Sequence, residues 1–121
     1  MNKCVLSGRL VSDVELKTTK NGKSVSTNCL AVRRRKKSDE GGYIADFIDF
    51  TVWGNSAEYM CRYAKKGDMI LISGAIEQQK YADKNGNNRV HYEIHGEDIE
   101  LLKAKTNNNK EFYPDGDMVF D

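Results

Sequence analysis

Apolar side chains recur at every second position along most of this chain, the spacing of β-strands that bury one face. From Lys3 to Val11, Cys4, Leu6, Gly8 and Leu10 alternate with Lys3, Val5, Ser7 and Arg9. A turn at Asn21-Gly22 leads into a second strand from about Ser24 to Arg35, which ends in the run Arg33-Arg34-Arg35-Lys36-Lys37. After a loop around Ser38 to Gly42, a third strand runs from about Ala45 to Trp53. A long strand from Met69 to Tyr81 turns through Asp83 to Asn88 and returns from Arg89 to His95. A short apolar stretch, Ile99 to Leu102, closes the body.

One segment breaks the period. Ala57, Met60, Cys61 and Ala64 follow the i, i+3, i+4, i+7 spacing of a helix face. Asn55 is the expected N-cap, with Glu58 completing a capping box, and Gly67 is the expected left-handed stop after Lys65 and Lys66. Five strands with one helix between the third and fourth predict an all-β Greek-key barrel, the OB-fold. SH3-like barrels share the strand count; the helix position favours the OB-fold.

The chain has 121 residues, enough for one modest domain. It contains no run of some 18 apolar residues, so no membrane span is expected. The opening Met-Asn-Lys-Cys-Val-Leu-Ser-Gly is too short and polar for a secretory signal, which predicts a cytoplasmic protein. Cys4, Cys29 and Cys61 form no Cys-x-x-Cys pair and read as reduced thiols. The net charge of +1 conceals an asymmetry: residues 1–37 hold ten Lys/Arg against Asp13 and Glu15, and the rest of the chain is acidic. Such a split suggests a basic surface for a polyanion. The domain is expected over residues 1–103, followed by a flexible acidic tail over 104–121.

The third strand is the most informative segment. Ile48, Phe50 and Val52 form a core face, whereas Phe47, Asp49, Thr51 and Trp53 set two large aromatics among polar residues, a poor core and a plausible platform. Phe47 and Trp53 lie six residues apart, roughly 20 Å along a strand, which suits two separate bases of a nucleic acid. The alternative is that one ring covers a barrel end or meets a subunit. On the long strand, Ile70, Ile72, Gly74 and Ile76 point inward and Tyr81 outward, near Lys80, Lys84 and Arg89. Single-stranded nucleic acid asks for rings that accept any base and cations that follow the backbone. The cation set read for that role is Arg9, Arg33, Arg34, Arg35, Lys36, Lys80, Lys84 and Arg89.

Catalytic readings fare poorly. Gly22-Lys23-Ser24 imitates the end of a phosphate-binding loop but has Lys17 where the first glycine belongs. His91 and His95 share a strand face but lie about 13 Å apart, too far to chelate one metal, and read as surface histidines. Asp46 and Asp49 project to opposite faces, and no acid, base or nucleophile set accompanies them. Neither enzyme activity, metal nor cofactor is expected.

Several segments occur in order: Asn-Lys-Cys-Val-Leu-Ser-Gly-Arg-Leu, Asn-Gly-Lys-Ser-Val, Ala-Asp-Phe-Ile, Trp-Gly-Asn-Ser-Ala-Glu, Tyr-Ala-Lys-Lys-Gly-Asp and Ile-His-Gly-Glu-Asp-Ile-Glu-Leu-Leu. Over about residues 1–103 the set resembles the single-stranded DNA-binding proteins of bacteria and their phages. The resemblance implies an OB-fold that binds single-stranded DNA without strong sequence preference, as a homotetramer, in replication, recombination and repair. It implies stacking at Phe47, Trp53 and Tyr81, and partner proteins docking on an acidic tail tipped by a phenylalanine, here Asp115, Asp117, Met118, Val119 and Phe120. The chain departs from the family pattern at Asn28, where a hydrophobic residue is common, and at Asp49, where some members have a basic or neutral residue. It also has Arg35-Lys36 where an aromatic is frequent, Val119 in place of the usual proline, and Asp121 after the phenylalanine. An OB-fold protein–protein adaptor using the same aromatics is the alternative from a different class.

Overall fold

In the computed structural model, residues 1–102 are described. Five long strands, β1 (Cys4–Leu10), β3 (Ser24–Lys37), β4 (Tyr43–Trp53), β5 (Met69–Ala82) and β6 (Asn88–Leu101), are joined by the two-residue β2 (Lys17–Thr18) and one helix, α1 (Gly54–Tyr63). The sheet order is β1-β5-β6-β4-β3-β2, and β1 also pairs with β3 through Arg9 and Leu10, which closes the barrel. All pairings are antiparallel except β4 with β6. This is the OB-fold topology, with the helix after the third long strand as the sequence predicts.

Alternation builds the core. Leu10, Leu30, Phe50, Val52, Ile70, Ile72, Ile94 and Ile99 point inward, and Ala57 and Met60 of α1 plug one end. Burying that apolar area, at about 25 cal/mol per Å², is the main stabilising contribution. Ile76, expected inward, is exposed because the β5–β6 hairpin runs on past the barrel. Thr51, expected on the exposed platform, is buried, and its hydroxyl reaches Glu93 Oε2 at 3.4 Å.

The helix ends differ from expectation. Strand β4 runs directly into α1 through Gly54, held at φ 61°, so Trp53 occupies the N-cap position and no side chain caps the helix. Asn55 is already in the first turn, and Glu58 instead accepts a 2.7 Å hydrogen bond from Ser24 Oγ on β3. At the other end Ala64 turns extended, leaving Arg62 as the basic residue of the last turn. Gly67 belongs to the following turn, in which the Asp68 carboxylate accepts from the Lys65 amide.

The two last strands read from the sequence are one. The register slips between Ser73 and Gly74, which pair with Asp98 and Gly96, so Glu97 is the extra residue of a β-bulge inside β6. Asn28, the polar residue where an apolar one is common, is buried and satisfied. Its amide donates to Ser12 O at 3.1 Å and accepts from Cys29 N at 2.7 Å, tying the segment after β1 to β3.

Candidate nucleic-acid interface

Strand register decides which side chains share the outer face. Phe47, Asp49, Thr51 and Trp53 of β4 lie opposite Ala31, Cys29, Thr27 and Val25 of β3. On the other side β4 meets β6 in parallel, Thr51 opposite His95, and β6 carries Arg89, His91, Glu93 and His95 opposite Tyr81, Gln79, Glu77 and Ala75 of β5. Phe47, Trp53 and Tyr81 therefore project from one continuous surface. They are 66%, 39% and 53% exposed. Small or short side chains face the first two across β3, so their rings stand clear of the sheet.

The middle of this face is acidic. Asp49 Oδ2 lies 3.2 Å from His91 Nε2, and Glu77 Oε2 lies 3.7 Å from His95 Nδ1. Both histidines, read from the sequence as surface groups, are partly exposed, and each lies beside a carboxylate. Burial, and then the negative charge of Asp49, pushes the Cys29 thiol above its ordinary range. Two hollows adjoin this centre, both lined by Asp49 and Glu93; Thr27 and Cys29 bound one, and Phe47, Ile76 and Tyr92 the other. Among the described residues, no three His, Cys, Asp or Glu side chains converge to hold a metal.

The cations read from the sequence divide into two groups. Arg34 is engaged: its Nε and its Nη2 each donate to the Asp46 carboxylate at 2.9 Å, which holds that carboxyl below its usual range. Arg89 donates through Nε to Asp83 at 2.9 Å. Asp83 also accepts the amides of Asn85 and Asn87, and these bonds, the Asn87 amide first and then Arg89, depress its pKa. Arg9 donates to Gly67 O at 3.0 Å. Arg33, Arg35 and Lys36 are exposed on the end of β3, and Lys80 and Lys84 on the β5–β6 hairpin. Lys80 aligns with Val90, the opposite face of that hairpin from Tyr81.

Sequence reading missed Tyr43. The third strand begins two residues before the expected Ala45, and its alternation carries the outer face on to Tyr43. The ring is 56% exposed, with the Arg33 guanidinium 4.2 Å and the Lys37 ammonium 5.2 Å from its centroid. Continuing the alternation upstream of Ala45 was the available signal.

Over residues 1–102 the chain matches the Single-strand binding protein family. The chain belongs to that family. It is 44% identical over 110 residues to single-stranded DNA-binding protein 3 of Clostridium acetobutylicum, covering 90% of this chain and 76% of the relative. Single-stranded DNA-binding protein 1 of the same organism is 39% identical over 108 residues, 87% of this chain and 96% of the relative. The single-stranded DNA-binding protein of Clostridium tetani is 43% identical over 104 residues, covering 85% and 71%. Membership places the chain among binding proteins rather than enzymes. None of the described helices is long and apolar enough to cross a membrane. The acidic tip, Asp115 to Phe120, lies outside the described residues.

Proposed function

We propose that this protein binds single-stranded DNA independently of sequence, coating it during replication, recombination and repair. The observation that carries the reading is the placement of three exposed aromatics on one outer face, beside the cation-rich ends of β3 and the β5–β6 hairpin. Phe47, Trp53 and Tyr81 stack on bases. Arg33, Arg35, Lys36 and Lys84 follow the phosphates, with Arg9 and Arg89 beside them; Lys80, on the other face of the hairpin from Tyr81, lies off this path. Arg34 contributes less, since its guanidinium is already committed to Asp46. The relatives' names support this reading, as does the family match.

The protein acts in the cytoplasm as a homotetramer, with residues 1–103 as the DNA-binding domain and 104–121 as an acidic tail that recruits replication and repair proteins. Two observations favour self-association. Between Cys4 and Gly8, β1 has a strand partner on one side only among the described residues, an open edge. Ile76, Val90 and Tyr92 also expose apolar side chains on the inner side of the protruding hairpin.

A salt-series titration with a thymidine homopolymer tests the reading, with the mass in solution measured alongside. Trp53, the only tryptophan, reports binding by its fluorescence. If about five cations meet phosphates, log affinity falls with log salt at a slope of about −3.5. Unchanged Trp53 fluorescence at saturation, with affinity indifferent to salt, would pass the same face to a protein partner.

Asp49 supplies a further prediction. Its charge sits beside Phe47 on the DNA face, so Asp49→Asn is expected to tighten binding about two- to fivefold at low salt, an advantage that fades as salt screens the charge. The Cys29 thiol, relieved of the neighbouring carboxylate, reacts faster with a thiol reagent at mildly alkaline pH. Unaltered affinity together with unaltered thiol reactivity contradicts this account of the face.

A further inference from the structure

Resting on the reading of the outer face as a single-stranded DNA surface, we propose that Tyr43, with Arg33 and Lys37, forms a further nucleotide-binding position that extends the DNA path past Phe47 onto the β3–β4 hairpin. Three observations meet here. Strand β4 is unbroken from Tyr43 to Trp53, and its exposure alternates from Tyr43 through Phe47, so the two rings stand on the same side about 13 Å apart. Aromatics at 43, 47 and 53 thus form a line along one strand, and the register shift next to Tyr43 places its extra residues on β3, not on β4.

The second observation is the ring's surroundings. Tyr43 is 56% exposed, and its register partner across the hairpin is Lys37. A tyrosine kept in water beside two cations does little for a core. It does offer a π face for a base, with charges within reach of the adjoining phosphate. The third is the bulge in β3 between Arg33 and Lys37. Bulges re-aim side chains, and here both residues flanking it bring their cationic groups to within 5.2 Å of the same ring.

The alternative role for such a cluster is structural, holding the hairpin tip together. Binding measured against oligonucleotide length separates the two. Wild-type protein, Tyr43→Leu, Tyr43→Phe and Phe47→Ala are titrated with homothymidines of about 4 and about 16 nucleotides, the range of site sizes for one OB-fold. The short strand occupies the strongest contacts, and the long one reaches the hairpin. Tyr43→Leu is expected to bind the long strand about 5- to 100-fold more weakly and the short one within about twofold of wild type. Tyr43→Phe, which keeps the ring, restores the long-strand affinity. Wild-type binding of both lengths by Tyr43→Leu, with Phe47→Ala impaired on both, overturns the Tyr43 assignment and leaves the surface standing. Equal weakening on both lengths marks a structural role and overturns it too. If Phe47→Ala also binds normally, the DNA surface itself is wrong.

Discussion

A chain carrying both Phe47→Ala and Trp53→Ala is expected to bind a thymidine oligonucleotide about 30-fold to 10⁴-fold more weakly than wild type, with its folding intact. The magnitude follows from stacking at roughly 1–3 kcal/mol per base, counted at two positions and converted at 1.4 kcal/mol per decade. The two losses should add closely. Six residues of strand place the rings roughly 20 Å apart, well beyond the distance at which mutational effects couple. Stability should change little, because Phe47 is 66% and Trp53 39% exposed and each faces a smaller side chain across β3. Anisotropy of a labelled oligonucleotide reads the affinity, since the fluorescent tryptophan is gone, and a circular-dichroism melt verifies the fold. The salt slope should stay near the wild-type value, because the cations remain. A double variant within threefold of wild-type affinity would refute stacking at these positions, whatever else the protein binds.

The legibility of this chain was uneven, for reasons that can be named. Alternation located the barrel strands and put Phe47, Trp53 and Tyr81 outside because a half-buried strand repeats strictly every two residues. It failed wherever the repeat ended or slipped. Gly96-Glu97-Asp98 read as a break between strands, whereas the backbone absorbs Glu97 as a bulge and β6 continues. Asn55 and Glu58 had the spacing of a capping box, but a strand feeding directly into a helix leaves no room for one. Ile76 matched the inward set and is exposed, since periodicity reports a side and not how far the barrel extends along it. Pairings across the barrel were the least legible part. Nothing local announces that Asp49 meets His91, 42 residues away, or that Arg34 spends its guanidinium on Asp46. Those contacts determine which of the many charges can meet phosphate and which are already occupied.

Gly74→Ala should be the most damaging single-methyl change in the barrel. A Cβ built there would lie 2.0 Å from the His95 carbonyl oxygen and 2.9 Å from Gly96 Cα, both backbone atoms of the paired strand. A flexible side chain could swing away; a hydrogen-bonded strand moves only by giving up its ladder. Overpacking of this kind costs about 1–3 kcal/mol and sometimes more, and a backbone clash belongs at the upper end. For a domain of this size about 3 kcal/mol lowers the melting temperature by some 10–20 °C. Gly86→Ala is the matched control. It occupies a left-handed turn at φ 83° with open space around it, so its cost is about 1–2 kcal/mol of backbone strain. The site of the clash also ties stability to function. Gly74 borders the bulge from which the β5–β6 hairpin continues, and that hairpin carries Tyr81. Below its lowered melting point the Gly74→Ala protein should therefore still bind DNA, but more weakly than wild type. The Gly86→Ala protein, altered only at the hairpin's tip, should retain nearly full affinity. Equal melting temperatures for the two would show that β6 can yield at His95, and that the close approach of the two strands there is not what fixes the hairpin.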